Sequence, residues 1–271
     1  MTSTFYSPYK PGDVWSDFLA GREPRGHAAQ VYADLGELAQ SVSAYLTVGF
    51  ELGEPAVVVA TPEHLTEFMA ALADAGWDKA RIDRAGLLAV ADAAETLSAI
   101  MEGDTPSKRS FEQRVGGLLD LFPGKHVRAF GEMVDLLSRA GRIDAAIALE
   151  ELWNDFGRRR DFSLLCGYHL NVFDRASQAG VLQHVCRTHS HILPALDPAR
   201  LTRAVDQALE EVLGAAEAGK VYVLVGQQIR SDRIPVAQVL LMWVSANMPA
   251  LAERVLASAR ARYEAQPAAS A

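Results

Sequence analysis

Between residues 27 and 168 the chain alternates short apolar blocks with longer stretches whose apolar residues recur every three or four positions. The blocks are HAAQVYA (27–33), AVVVA (56–60), GLLAVA (86–91), HVRAF (126–130) and FSLLCGY (162–168). AVVVA is β-branched and uninterrupted, as a strand buried on both faces must be. Between the blocks lie helical stripes: Leu38, Val42, Tyr45, Leu46, Gly49 and Phe50, then Leu65, Phe68, Met69 and Leu72, then Phe111, Val115, Leu118, Leu119 and Phe122. Residues 143–157 make a further helix. Helix starts are marked by Thr61 before Pro62 and by the Asp92/Glu95 pair, and Gly76 marks a stop. In VRAFGEMVDLLSRAG (127–141) a strand runs straight into a helix with Glu132 at the corner. This alternation predicts a three-layer α/β fold, a mainly parallel sheet covered on both faces and joined by right-handed crossovers.

After residue 173 the pattern changes. SQAGVLQHVCRTHSHILPALDP (177–198) reads as one helix and a proline-bounded connector. From Asp197–Pro198 the stripe Leu201, Ala204, Val205, Ala208 and Val212 makes an amphipathic helix, and two more helices are divided by Pro249. KVYVLVGQQI (220–229) fits either a strand or a buried helix. The plan is therefore an N-terminal arm over 1–24 with a short helix at 13–20, an α/β domain over 25–190, an all-helical appendage over 198–264, and a frayed tail over 265–271. The appendage has more apolar surface than an antiparallel helix pair would hide, so a homodimer is expected.

Composition narrows the function classes. Formal charge is −8 and the pI is about 5.4, which opposes a broad attraction to nucleic acid. Two cysteines, Cys166 and Cys186, make no disulfide framework. The first residues lack the pattern of a signal peptide, and IPVAQVLLMWVSANM (234–248) is too short to span a bilayer. A cytoplasmic protein without membrane contact is expected.

Ligands of open parallel sheets bind beyond the carboxyl ends of the strands. The residues there are Asp34–Glu37, Thr61–His64, Asp92–Glu95, Gly131–Glu132 and Cys166–His169. No GxxxxGK[ST] and no GxGxxG follows the first strand. Acids stand instead at helix starts, where they consume the free N–H groups that would hold a phosphate. The scaffold is of the nucleotide-binding type with its phosphate grip removed.

Quoted together, HAAQVYADLGEL, GFELGEPAVVVATPEHL, DAAETLSAIMEGDTPSKRSFEQRVGGLL, VRAFGEMVDLL, ALEELWN and SLLCGY resemble the MEDS domain, the sensory domain of the dichloromethane-responsive regulator DcmR. The likeness runs from about His27 to Phe173. It implies a RecA/KaiC-like relative without a phosphate-binding loop that senses small molecules, including hydrocarbon derivatives, in transcription regulators and signalling proteins. DcmR-type regulators carry a helix-turn-helix ahead of the sensor, and 26 residues before His27 are too few for one. No direct DNA binding is expected, and output would pass through a regulatory protein partner or a second subunit. His169 stands where the family commonly has proline.

Candidate ligand-binding residues are His27, Gln30, Tyr32, Glu132, Glu151, Trp153, Asn154, Cys166, Tyr168 and His169. Glu132 is read as a helix-starting acid that faces a binding crevice, with two alternatives for its carboxylate: binding a ligand polar group, or hydrogen-bonding the His27 side chain across the strand ends. Gln30 and Tyr32 share a strand face and need hydrogen-bond partners. Trp153 lies on the apolar stripe of its helix, and Glu151 and Asn154 are three apart on one face. An alternative from another class is an enzyme with Glu132 as base and Cys166 or His169 assisting. His184, Cys186, His189 and His191 match no usual zinc spacing. No cofactor and no metal are expected.

Overall fold

The computed structural model describes Phe18 and residues 26–193, 198–228 and 234–266. The expected arm over 1–24 and its helix at 13–20, Phe18 apart, lie outside the described residues, as does the tail beyond Gln266. One compact unit is built from the described residues of 17–171 and 184–195, a second from those of 172–183 and 196–271.

The first unit carries a six-stranded sheet of β1 (His27–Tyr32), β2 (Ala56–Ala60), β3 (Leu88–Asp92), β6 (Val127–Gly131), β7 (Phe162–His169) and β8 (His191–Leu193). Their order is β3-β2-β6-β7-β1-β8, and every neighbouring pair is parallel. A two-residue ribbon of β4 (Met101–Glu102) and β5 (Thr105–Pro106) stands apart from it. The five expected strands are all present. β8 is an addition: its three residues were read as connector, and HIL is too short to show a period.

Helices cover both faces. On one side, α1 (Leu35–Glu51) and α2 (Pro62–Asp74) pack against Phe130 and Gly167 of the sheet through Leu38 and Phe68. The Asp34 carboxylate accepts the Glu37 N–H at 3.1 Å and thereby opens α1. α3 (Lys79–Ala85) ends on Gly86 at φ 62°, a left-handed turn that suits glycine. After it come α4 (Ala93–Ile100), capped by Asp92 to Glu95 N at 2.8 Å, and α5 (Lys108–Leu119). The opposite face takes α6 (Met133–Arg139) and α7 (Ile143–Gly157), whose Trp153 and Phe156 meet Phe111 and Phe162.

One buried charge escaped the sequence pattern. Arg128 of β6 is 1% exposed. Its Nε donates to Glu54 at 2.7 Å, its Nη1 to the Tyr45 carbonyl at 3.1 Å, and its guanidinium lies over the Tyr45 ring. Gly49 faces this side chain, and a Cβ there would stand 2.5 Å from Arg128 Cδ. A glycine inside α1 is thus explained by the bulk beside it.

In the second unit, α8 (Arg175–Ala179), α10 (Pro198–Leu213), α11 (Ala215–Gln228), α12 (Val236–Asn247) and α13 (Pro249–Ala265) are helical, while α9 (Val181–Thr188) includes residues of both units. The ambiguous 220–229 stretch is helical through Gln228, and residue 229 lies outside the described residues. Leu201, Val205 and Leu209 of α10 share a core with Leu240 and Val244 of α12 and Val255 and Leu256 of α13. Inside it, Gln238 donates to Gln178 at 2.9 Å, so that polar pair is satisfied. Tyr222, Val223 and Leu224 remain exposed on α11. No helix among the described residues is long and apolar enough to cross a membrane.

Candidate functional site

The candidate residues separate onto the two faces of the sheet. Parallel register puts Gly131 beside Val59, so the residue after β6 stands next to Thr61 at the end of β2. Glu132 occupies the N-cap position of α6 but makes no side-chain bond there. Its carboxylate crosses to the neighbouring helix start and accepts the Thr61 N–H and a His64 ring N–H. Thr61 makes no side-chain cap of its own, so the acid at the corner caps α2 from outside. The helix it was expected to start is not the one it serves. His27 lies on the opposite face, so the expected Glu132–His27 contact is replaced by the His64 pair.

Around that pair, the Tyr32 ring packs edge-on to His64 at 6.0 Å and against His169 at 5.3 Å. Hydrogen bonding to Glu132 holds the His64 pKa above the usual imidazole range, against its burial. Asp135 accepts the His169 N–H at 3.0 Å and is 2% exposed. Burial pushes its carboxyl up to about 7. His169 itself is exposed.

The other face holds a second, fully enclosed group. Cys166 of β7 and His27 of β1 point to the same side as α7, and their Sγ and Nε2 are 3.3 Å apart. Glu150 of α7, 0% exposed, places Oε2 3.5 Å from His27 Nε2 and Oε1 3.4 Å from His189 Nε2, and accepts the Tyr168 hydroxyl. His27 and His189 rings lie 4.1 Å apart. Burial sets the protonation here. It lowers His27 to about 4 and His189 to about 3, and raises Glu150, the Cys166 thiol and the Tyr168 hydroxyl above their ordinary ranges. At neutral pH both imidazoles are uncharged.

Beside this group opens a cavity of about 440 Å³, lined by Gly26, His27, Trp153, Asn154, Phe162 and Leu164, with Gly157 and Arg158 at the end of α7. It lies at the amino ends of β1 and β7, the opposite edge from Glu132. Trp153, Phe162 and Leu164 are its apolar side chains and His27, Asn154 and Arg158 its polar ones, with His27 Nδ1 and Asn154 Oδ1 3.1 Å apart. Gln30 is not near it: its Nε2 donates to the Val31 and Leu193 carbonyls and ties β8 to β1. Glu151 is exposed, and its neighbour Glu150 is the acid that turns inward.

Residues 26–190 match the model of the MEDS family, the methanogen/methylotroph, DcmR sensory domain. The chain belongs to the MEDS family. No curated protein matches it. MEDS is a sensory domain rather than a known enzyme family, so the chain has a sensing or regulatory role. Two of the residues named for an enzyme, Glu132 and Cys166, are buried in this MEDS domain. Glu132 has both carboxylate oxygens engaged and is 2% exposed. Cys166, with its thiol pKa raised, is the reverse of an activated thiolate.

Sequence reasoning missed Glu150 and Asp135. For Glu150 a signal existed: in LEELWN it sits three residues before Trp153, on the apolar stripe with Leu149, where a carboxylate must find buried partners. His64 was named only within the Thr61–His64 strand end, and His189 only beside His184, Cys186 and His191, whereas its partners come from β1, β7 and α7.

Proposed function

We propose that this MEDS domain senses a small, partly apolar molecule held in the cavity between β1, β7 and the end of α7, with its polar end against His27 and Asn154. The cavity carries the reading: it combines Trp153, Phe162 and Leu164 with two convergent polar groups, as small-molecule sites do. The carboxyl edge expected from the sheet rule offers less support, because Glu132, His64 and Asp135 are satisfied by one another and by main-chain N–H groups.

The same polar groups hold a segment in place. Asn154 Nδ2 donates to the Thr188 carbonyl at 3.1 Å, and Ser190 Oγ accepts from His27 N–H at 3.0 Å and donates to the His27 carbonyl at 2.8 Å. A ligand that takes over the Asn154 amide, Nδ2 included, competes with its bond to Thr188 and loosens residues 184–193. In sequence that segment lies between the two stretches of the helical unit. Output then passes to a protein partner, and a second copy of this chain is the first to test, given exposed Val223 and Leu224 on α11.

The test is a thermal-shift panel of short alcohols, carboxylates and haloalkanes on the full chain, followed by amide exchange with any hit. Gly157→Leu is the blocking variant, since a Cβ at Gly157 meets only Phe162 Cζ at an ordinary 3.8 Å. A shift seen in the wild type and lost in Gly157→Leu, with faster exchange over 184–193, supports the proposal. A shift that persists in Gly157→Leu, or none across the panel, removes it.

A further inference from the structure

His27 Nε2, a Glu150 carboxylate oxygen, Cys166 Sγ and His189 Nε2 all lie within 4.8 Å of one another, and all four residues are buried. The hydrogen bonds around them fix which atoms face the centre. His189 Nδ1 contacts the Val185 carbonyl at 2.8 Å, and a carbonyl only accepts, so Nδ1 carries the ring proton. Asn154 donates through Nδ2 to Thr188 O, which orients its Oδ1 to accept from His27 Nδ1–H. Both rings therefore present a bare Nε2 lone pair to the centre, the tautomer that metal-bound histidines adopt when Nδ1–H is held by a carbonyl.

The centre is rich in acceptors and poor in donors. It holds two imidazole lone pairs and two carboxylate oxygens, against the Tyr168 O–H and the Cys166 S–H. Glu150 Oε2 and His189 Nε2 have no hydrogen-bond partner and no solvent to replace one. Such atoms are costly to leave unmatched. A cation at the centre would match them together.

We propose that His27, Glu150, Cys166 and His189 form a binding site for one divalent transition-metal ion of the zinc class. Two nitrogens, one sulfur and one oxygen are a donor set zinc takes, in tetrahedral geometry. In such a site, donor atoms bonded at about 2.0–2.3 Å stand roughly 3.3–3.8 Å apart. The 3.3 Å between Cys166 Sγ and His27 Nε2 is already at that spacing, and so is the nearer Glu150 oxygen to each imidazole, Oε2 at 3.5 Å from His27 and Oε1 at 3.4 Å from His189, of which one would bind the ion. Charge also closes: the ion replaces the Cys166 thiol proton and any proton on Glu150, which leave to solvent. A 2+ ion with one thiolate, one carboxylate and two neutral imidazoles is then neutral in a site without water. Tyr168 O–H, bonded to Glu150, and Asn154, bonded to His27, are the outer partners that orient the ligands.

All four protein ligands would be used, so this is a closed, structural site. It would join β1, α7, β7 and the α9–β8 connection through one ion. The inference does not rest on the small-molecule reading, since it is argued from the four buried donors alone.

The full-length protein is purified without chelator and its metal content measured by mass spectrometry. It is then stripped and titrated with Co²⁺ alone, following the thiolate-to-metal charge-transfer band and the visible bands of a four-coordinate ion. One ion per chain, a charge-transfer band that saturates at one equivalent, and a melting temperature raised by Zn²⁺ are expected. Cys166→Ser should lose the charge-transfer band while Cys186→Ser keeps it, and Glu150→Gln should weaken binding at least tenfold. Wild-type protein that retains no metal, gives no thiolate band with Co²⁺ and melts unchanged with Zn²⁺ overturns the proposal. So does an unaltered band in Cys166→Ser.

Discussion

Asp135→Asn should make the protein more stable, and increasingly so as pH rises. Asp135 is buried on α6, and its carboxyl is pushed from 3.8 up to about 7, chiefly by burial, with the His169 N–H and Arg139 opposing. An acid with a raised pKa keeps its proton in the native state where the unfolded chain has released it. The native state then binds more protons between pH 3.8 and about 7, so stability falls with rising pH across that window. The upper bound is roughly 4 kcal/mol, from about 1.4 kcal/mol per pKa unit. Asparagine keeps an oxygen for the 3.0 Å bond from His169 N but cannot ionise. The variant should match the wild type near pH 4 and exceed it by about 2–4 kcal/mol near pH 8. His64, raised by Glu132, contributes stability present below its unfolded pKa and lost as pH rises through its folded value. That contribution is common to both proteins and cancels to first order in the difference. Urea melts at four or five pH values measure it. A difference that does not change with pH, or that shrinks as pH rises, refutes the reasoning.

Glu54→Gln should cost about 2–4 kcal/mol by urea melt, because it leaves the buried Arg128 guanidinium without its counter-charge. Arg128→Met should cost less, since Glu54 is 23% exposed and water can take over its carboxylate; the reverse ranking would contradict the assigned roles. Gly49→Ala gains about 1 kcal/mol of helix propensity. It also drives a methyl into Arg128 Cδ at 2.5 Å, an overpacking worth about 1–3 kcal/mol. A net loss is expected in the wild type and a net gain in an Arg128→Ala background, and equal effects in the two backgrounds would rule out the steric account.

The layers of the fold were legible because they rest on local signals. AVVVA can only be a strand covered on both sides, and Asp34 and Asp92 name their helix starts three residues ahead of the N–H groups they accept. β8 was not legible: three residues carry no period, and what makes HIL a strand is the β1 edge it pairs with. The site divides the same way. His27, Asn154, Cys166 and Tyr168 were read as candidates and do converge, but Glu151, read as sharing a face with Asn154, is exposed, and Glu150 on the buried stripe is the acid that turns inward. His64 owes its place to Glu132, Asp135 to His169, and His189 to Glu150 and His27, all distant in sequence, and no pattern within one helix or strand encodes that.

The two edges of the sheet have taken opposite chemical characters, and the reason lies at the helix starts. A phosphate site needs free helix N–H groups, but here Asp34 accepts Glu37 N, Asp92 accepts Glu95 N, and Glu132 accepts Thr61 N. Each acid removes one donor and adds a negative charge, so the carboxyl edge can no longer attract an anion. At the amino edge of β1 and β7 the apolar side chains Trp153, Phe162 and Leu164 line open space instead. No acid lines that cavity; its polar side chains are His27, Asn154 and Arg158, and the first two bond to each other and to residues 188–190. The capped helix starts and the apolar cavity are therefore separate features on separate edges. A substitution that restored free N–H groups at Asp34 would not by itself affect what the cavity holds.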